Sequence, residues 1–334
     1  MKTYGILCFV LAISMIITPI FSLKTELFTF ENVKETFLKT PSEVVSDEET
    51  EKAAEKDDSS VKVLSVASGT IITMEEADYL IGCVASEMPA TYHEEALKAQ
   101  AVAAYTNMKR MKKSPDKSLG GADISNSPDK HQGYLSNDEL KLKWGDKYDI
   151  YHSKIEKAVT EVIGKIIKYE NEPIIASYFA LCSGKTENSE TIWKGAVPYL
   201  KSVTSIGDKL SPSFSNTVSL TTEQFSEMAK KNAEIVLPEN PEEWVSKDIL
   251  YSDAGTVTKI TIGGKELSGM DARALFSLKS PAFTLVYKDG NFIFTTLGYG
   301  HFVGMSQYGA DYMARQGSTY KEILEHYYTG VTVA

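Results

Sequence analysis

The sequence predicts an α+β fold, with mixed helices and antiparallel-rich sheet regions forming one large extracytoplasmic domain after an N-terminal membrane helix. Three observations carry this reading. Several segments repeat apolar residues at the helical spacing and open on capping patterns. Other segments read as strands, and two of them flank Asp289-Gly290, a pair suited to a tight hairpin turn. The order of these segments is not a regular βαβ series, which argues against a doubly wound parallel sheet.

The chain begins Met1-Lys2-Thr3-Tyr4 and runs without a charge from Gly5 to Leu23. That stretch of about 19 residues is long enough to cross a hydrocarbon core as a helix. Its end, Pro19-Ile20-Phe21-Ser22-Leu23, holds no small-x-small cleavage site, so residues 1–24 read as a retained anchor. A cleaved signal peptide is the alternative, and in either case the rest of the chain is exported. Residues 25–60 read as a flexible acidic stalk. Between Glu43 and Asp58 there are eight acids against two lysines and no aromatic residue, too little apolar surface to offset the entropy of ordering.

The folded domain is expected over 61–334. Val61–Ala67 reads as a strand. Thr73-x-x-Glu76 has the form of a capping box and predicts a helix to about Met88, stopped by Pro89. Thr91-x-x-Glu94 predicts a second helix, with Ala96, Ala99, Val102, Ala103 and Met108 along one face. Residues 114–138, rich in Ser, Asp, Asn, Gly and Pro, read as a long loop. A helix near 151–163 and strands near 164–169 and 174–181 follow. Thr221-x-x-Gln224 opens another helix. Strands are expected at 256–262, 282–288 and 291–296, and a helix-rich segment at 304–328.

The formal net charge of -10 and the lack of a Lys/Arg stripe exclude a nucleic-acid footprint. Cys8, Cys83 and Cys182 form no CxxC and no disulfide framework, and whether Cys83 and Cys182 pair is left open. His93-Glu94-Glu95 is not a zinc HExxH motif because position 97 is Leu, while His131 stands alone in the long loop and His326 on a helix. No cofactor is expected.

Three segments can carry chemistry. In Cys83-Val84-Ala85-Ser86-Glu87-Met88-Pro89, Glu87 lies at a helix C-terminus among apolar neighbours. The helix dipole and burial both raise a carboxyl pKa there, as a general acid near neutral pH requires. The competing reading is a surface glutamate at a helix end. The second segment, Tyr178 to Glu190 with Trp193 and Tyr199, combines a strand end, hydroxyls, amides and aromatic rings, which suits sugar binding; a turn followed by core aromatics is the plainer reading. The third, Gly298-Tyr299-Gly300-His301-Phe302-Val303-Gly304, fails the dinucleotide GxGxxG pattern because position 303 is Val. What remains is a glycine loop permitting close backbone approach, with His301, Ser306 and Gln307 clustered around it.

In this order the segments resemble the stage II sporulation protein D family and its amidase-enhancer relatives. The matching stretches are Ala85-Ser-Glu-Met-Pro-Ala90 with Glu95-Ala-Leu-Lys-Ala-Gln-Ala-Val-Ala-Ala104, Ser183-Gly-Lys-Thr-Glu187 with Trp193 and Pro198-Tyr-Leu-Lys-Ser-Val203, and Gly300-His-Phe-Val-Gly-Met-Ser-Gln-Tyr-Gly-Ala310 with His326-Tyr-Tyr-Thr-Gly330. The resemblance implies a peptidoglycan lytic transglycosylase. Such an enzyme cuts between N-acetylmuramic acid and N-acetylglucosamine in strands already stripped of stem peptides, leaving a 1,6-anhydro end. It implies Glu87 as the catalytic acid, and Lys98, Tyr199, Lys201, His301, Ser306 and Gln307 as substrate-binding residues. It also implies a SpoIIP-type amidase/endopeptidase and a SpoIIM-type membrane protein as partners, and a single-pass location in the mother-cell membrane facing the intermembrane space during engulfment. A non-catalytic, glycan-binding activator of a partner amidase is the alternative. Two departures stand out. Tyr105-Thr106 replaces the family's frequent Arg-Thr, so a supporting cation is either lost or supplied by Lys109 or Arg110. The stretch His131-Gln132-Gly133-Tyr134 has no nearby cysteine for the zinc that some members bind.

Overall fold

The computed structural model describes residues 59–128, 130–193 and 195–334. The predicted membrane anchor and nearly all of the predicted stalk lie outside them. Among the described residues no helix is long and apolar enough to cross a membrane.

Strand β1 (Ser60–Leu64) pairs antiparallel with β2 (Ile71–Glu75), then come helices α1 (Glu76–Glu87) and α2 (Glu94–Lys113). Strand β3 (Ile124–Ser125) runs parallel to β1, followed by α3 (Asn137–Trp144) and α4 (Tyr148–Val162). Strands β4 (Ile167–Tyr169), β5 (Glu172–Pro173) and β6 (Tyr178–Phe179) precede the short helix α5 (Ser189–Trp193). Next are β7 (Ser215–Thr221), α6 (Thr222–Ala229), β8 (Leu250–Tyr251), β9 (Val257–Ile262), β10 (Lys265–Leu267) and α7 (Gly269–Leu275). The hairpin β11 (Phe283–Lys288) and β12 (Asn291–Leu297) leads to β13 (Met305–Ser306), α8 (Gln307–Arg315), α9 (Tyr320–Tyr327) and β14 (Thr332–Val333).

The α+β class holds. Apart from β1 with β3 and β6 with β13, the strand pairs are antiparallel, in small sheets ordered β2-β1-β3, β14-β4-β5, β8-β9-β10 and β11-β12-β7. The hairpin turns at Asp289 (φ 49) and Gly290 (φ 76), both in the left-handed region that the Asp-Gly pair tolerates.

Among the described residues two large hydrophobic cores divide the work, and a third, small cluster joins Phe179, Cys182, Ala282 and Phe302. The first joins α1, α2 and α4 to α8 and α9 through Leu80, Val84, Leu97, Val102, Val159, Ala310, Ile323 and Leu324. The second draws every buried member from Phe225–Phe294, and six of its fourteen buried members are aromatic. Phe225 stacks on Phe292 with ring centroids 3.9 Å apart, and Trp244 stacks on Phe292 at 5.5 Å. Such pairs contribute about 0.5–1.5 kcal/mol each beyond the area they bury.

Several element boundaries differ from expectation. Thr73 caps nothing, because β2 absorbs Ile71–Glu75 by pairing with β1. The residue that caps α1 is Glu75, without a side-chain bond. Helix α2 starts at Glu94 rather than after Thr91, and its cap is His93, whose Nδ1 accepts the Glu95 N–H at 3.3 Å. The expected loop ends in α3, opened by a Ser136/Glu139 capping box that its polar composition concealed. The strands expected at 164–169 and 174–181 shrink to β4 and β6, with β5 between them. Cys83 and Cys182 are both buried and free.

Candidate active site

Helix α1 is anchored in the first core by Tyr79, Leu80, Cys83 and Val84. It stops because Met88 precedes a proline, whose ring disfavours the helical region for the residue before it. Met88 is accordingly extended (φ -119, ψ 146), and Glu87 becomes the last helical residue, half-buried. The loop before α3 closes over it, and the Gly133 N–H donates to Glu87 Oε1 at 2.9 Å. A Cβ on Gly133 would stand 2.5 Å from Ser86 Oγ and 3.0 Å from Glu87 Oε1, so only glycine permits this approach.

Buried Gln132 sets the loop's position. Its Nε2 donates to the Tyr79 hydroxyl (3.2 Å) and the Ala104 carbonyl (3.3 Å), and its Oε1 accepts from Asn107 Nδ2 (3.4 Å) and the Tyr178 hydroxyl (3.2 Å). One amide thus ties the loop to α1, α2 and β6.

Desolvation raises the Glu87 pKa above the ordinary carboxylate value. The Gly133 N–H, the Gln307 side chain and the charge of Lys143 each pull it down, in that order, without cancelling the rise. Lys143 comes from α3, and its Nζ donates to the Ala85 carbonyl at 2.9 Å near the C-terminus of α1, where a cation is favourable. Burial lowers the Lys143 pKa and Glu87 opposes that. Neither Gly133 nor Lys143 was singled out from the sequence. Both lie in or beside the expected loop, and no periodicity points from there to Glu87.

Gln307 is the first residue of α8, its amide shared between Glu87 and Gln100 Oε1 (3.4 Å). The glycine loop that leads to it holds Gly298, Gly300, Phe302 and Gly304 at positive φ. This lets it lie against residues 177–182; a Cβ on Gly304 would meet the Ser177 carbonyl oxygen at 2.1 Å. His301 Nδ1 accepts the Val303 N–H at 3.1 Å, and the ring lies 5.6 Å from both Phe179 and Trp193. Burial pushes the His301 pKa down to about 4; the Arg273 charge adds to this and a hydrogen bond to the Tyr178 backbone opposes it. The imidazole is therefore neutral near pH 7.

The other expected site residues make contacts elsewhere. Lys98 pairs with Glu95 (2.7 Å) and Glu161 (2.6 Å), bracing α2 against α4. The Tyr199 hydroxyl accepts the Ile175 N–H at 2.9 Å, and Lys201 pairs with Glu190 at 3.1 Å. Ser306, fully buried, caps α8 by accepting the Gly309 N–H (3.1 Å) and donates to Asp208 Oδ1 (2.8 Å). Tyr105 sits under Lys109, whose Nζ is 5.2 Å from the ring centroid and 2.7 Å from Glu76 Oε1. Glu76 opens α1 and Glu87 ends it, about 16 Å apart along the axis at 1.5 Å per residue. Lys109 therefore serves Glu76, and the cation acting on Glu87 is Lys143. His131 Nδ1 is hydrogen-bonded to Ser125 Oγ at 2.7 Å, and the described residues hold no group of three or more His, Cys, Asp or Glu that suits zinc.

The arrangement offers one half-buried carboxyl with a raised pKa. Among the described residues, none of the groups that shift its pKa is a carboxylate. Such a group can give a proton and take one back.

A family model described as "Stage II sporulation protein" matches residues 66–169. The stage II sporulation protein D of Bacillus amyloliquefaciens is 38% identical over 277 residues, which cover 82% of this chain and 78% of that protein. The protein of the same name from Bacillus subtilis (strain 168) is 38% identical over 276 residues, covering 82% and 79%. The amidase enhancer of Bacillus subtilis is 27% identical over 312 residues, covering 76% of this chain and 40% of that protein.

Proposed function

This chain belongs to the stage II sporulation protein D family, and from that premise we propose that it is a lytic transglycosylase of denuded peptidoglycan strands, acting in sporulation. The observation that carries the proposal is Glu87, a half-buried carboxyl held by the Gly133 N–H at 2.9 Å and by the Gln307 side chain, its pKa raised by burial and no carboxylate among the groups that shift it in the described residues. Glycoside hydrolases commonly need two carboxyl groups, one of them to activate water or attack the sugar. A transglycosylase needs one, because the muramoyl C6 hydroxyl is the nucleophile.

Protonated Glu87 gives its proton to the glycosidic oxygen as the bond from muramoyl C1 to that oxygen breaks. The C6 oxygen bonds to C1, and the Glu87 carboxylate takes the C6 hydroxyl proton. A 1,6-anhydro ring closes on one product, a free hydroxyl appears on the other, and Glu87 ends protonated as it began. Gln307 and the Gly133 N–H hold the carboxylate form between the two transfers. In this reading residues 1–24 anchor the protein in the mother-cell membrane, the domain faces the intermembrane space, and SpoIIP-type and SpoIIM-type proteins are its partners.

The test is digestion of peptide-free strands by the full chain, with mass spectrometry of the ends. Anhydromuramoyl ends should form with the native protein and not with Glu87→Gln. Equal cleavage by the variant would remove Glu87 from the acid role. Similarity to a protein named amidase enhancer favours a second reading, a glycan-binding activator of a partner amidase. In that case the native protein yields no anhydro ends, and Glu87→Gln stimulates the amidase undiminished.

A further inference from the structure

Arg273 lies half-buried on α7, between Ala272 and Phe276 of the second core. Its backbone carbonyl accepts the Leu278 N–H at 2.9 Å. Among the described residues its guanidinium has no ion pair and no hydrogen bond, and the charged form is opposed by burial and favoured only by nearby Tyr299. A guanidinium carries five donors and cannot shed its proton, so leaving it half-buried and unpaired is costly. A ligand that supplies the missing anion would remove that cost.

The surroundings say what kind of ligand. Lys279 Nζ stands 4.6 Å from the centroid of the Tyr299 ring, which is 47% exposed. The Gly300 N–H donates to the Lys279 carbonyl at 3.1 Å, fastening this corner to the glycine loop. His301, the next residue, feels the Arg273 charge and lies 5.6 Å from Trp193. Two cations and a run of flat rings thus gather at one end of the loop whose other end delivers Gln307 to Glu87. Rings of this kind stack on sugar faces, and a planar guanidinium fork fits a carboxylate.

We propose that Arg273, assisted by Lys279, binds a carboxylate carried by the glycan strand itself: the lactyl carboxylate of a muramoyl residue whose stem peptide has been removed. The inference rests on the part of the proposed function that has this protein engage denuded glycan strands, and not on their cleavage. Hydrolysis of the lactyl–peptide amide turns a neutral group into an anion at that point of the strand. An intact strand presents an amide and a bulky peptide to Arg273, leaving the guanidinium unpaired. Arg273 is then the residue that tells denuded strands from peptide-bearing ones.

The test measures binding by the full chain carrying Glu87→Gln, so that cleavage does not intervene. The probes are denuded strands and the same strands with their lactyl carboxylates converted to methylamides. The Glu87→Gln protein should bind denuded strands about tenfold to a hundredfold tighter, as loss of a charge-assisted hydrogen-bonded pair implies. Adding Arg273→Gln should abolish that preference and leave methylamide binding unchanged. Arg273→Lys, which keeps the charge but not the fork, should retain part of it, and exposed Lys279→Gln should weaken it without touching the core. Full preference in Arg273→Gln, or in Arg273→Lys and Lys279→Gln together should Arg273→Gln fail to fold, overturns the proposal. Absence of anhydro ends with the native protein, beside an Arg273-dependent preference, would sink the enzyme reading and leave this one standing.

Discussion

The Gly133 N–H and the Glu87 carboxylate meet at 2.9 Å across 46 residues of sequence. This bond fixes the direction of the one carboxyl that the site offers for proton transfer. It also favours the charged form against the desolvation that disfavours it.

Gly133→Ala should therefore impair catalysis more than stability. A Cβ there would stand 2.5 Å from Ser86 Oγ and 3.0 Å from Glu87 Oε1, so the loop or the carboxyl must move. Misplacement of a catalytic group by about 1 Å costs on the order of a hundredfold. Turnover should drop about tenfold to a hundredfold while thermal unfolding moves little. Native turnover in the variant would mean that the bond does not position Glu87.

Lys143→Met should move the pH profile. The Lys143 charge lowers the Glu87 pKa, so its removal raises that pKa further. A general acid works while protonated, and the alkaline limb of kcat/KM reports the loss of its proton. That limb should shift to higher pH in the variant. A shift to lower pH, or none, would contradict the assignment of Lys143 as the cation acting on Glu87.

Glu87→Gln should gain stability relative to the native protein as pH rises. The folded-state pKa of Glu87 is raised, so above the ordinary glutamate value of about 4.3 the folded chain still holds a proton that the unfolded chain has released. Native stability falls as pH climbs through that window, whereas glutamine has nothing to lose. Melting temperatures across the window should diverge in favour of the variant, and parallel curves would show that burial of Glu87 carries no such cost.

Ser306→Ala should act on stability rather than on substrate binding. Its hydroxyl caps α8 and is one of the donors to buried Asp208, which also accepts the Cys182 N–H at 2.8 Å. Loss of a cap and of a donor to a buried carboxylate together cost about 2–4 kcal/mol. Urea unfolding should show that loss, with an unchanged KM for glycan strands in the folded protein; a raised KM at unchanged stability would return Ser306 to the substrate-binding set.

Features written in neighbouring residues were legible. Pro89, two residues beyond Glu87, stops α1 there, Asp289-Gly290 turns the β11–β12 hairpin, and Thr221 with Gln224 caps α6. The same local logic failed at Thr73, where a capping pattern lost to strand pairing with β1, and after 114–138, where the end of the expected loop and the unassigned residues that follow it form helix α3. Backbone hydrogen bonds to a distant strand, or the cover of neighbouring elements, outweigh a local preference of about 1 kcal/mol.

Taken alone, the sequence determined that this chain presents a carboxyl at the proline-broken end of a helix and, far along the chain, a glycine loop, in the motif order of its family. Proline geometry and helical periodicity act over a few residues, so they can be read in order along the chain. Only the tertiary structure decided what surrounds that carboxyl. It turned Lys98, Tyr199, Lys201 and Ser306 to other contacts, and it brought Gly133, Lys143 and Gln307 to Glu87. Desolvation and Coulomb attraction depend on distance through space, and the chain order of these residues carries no record of that distance.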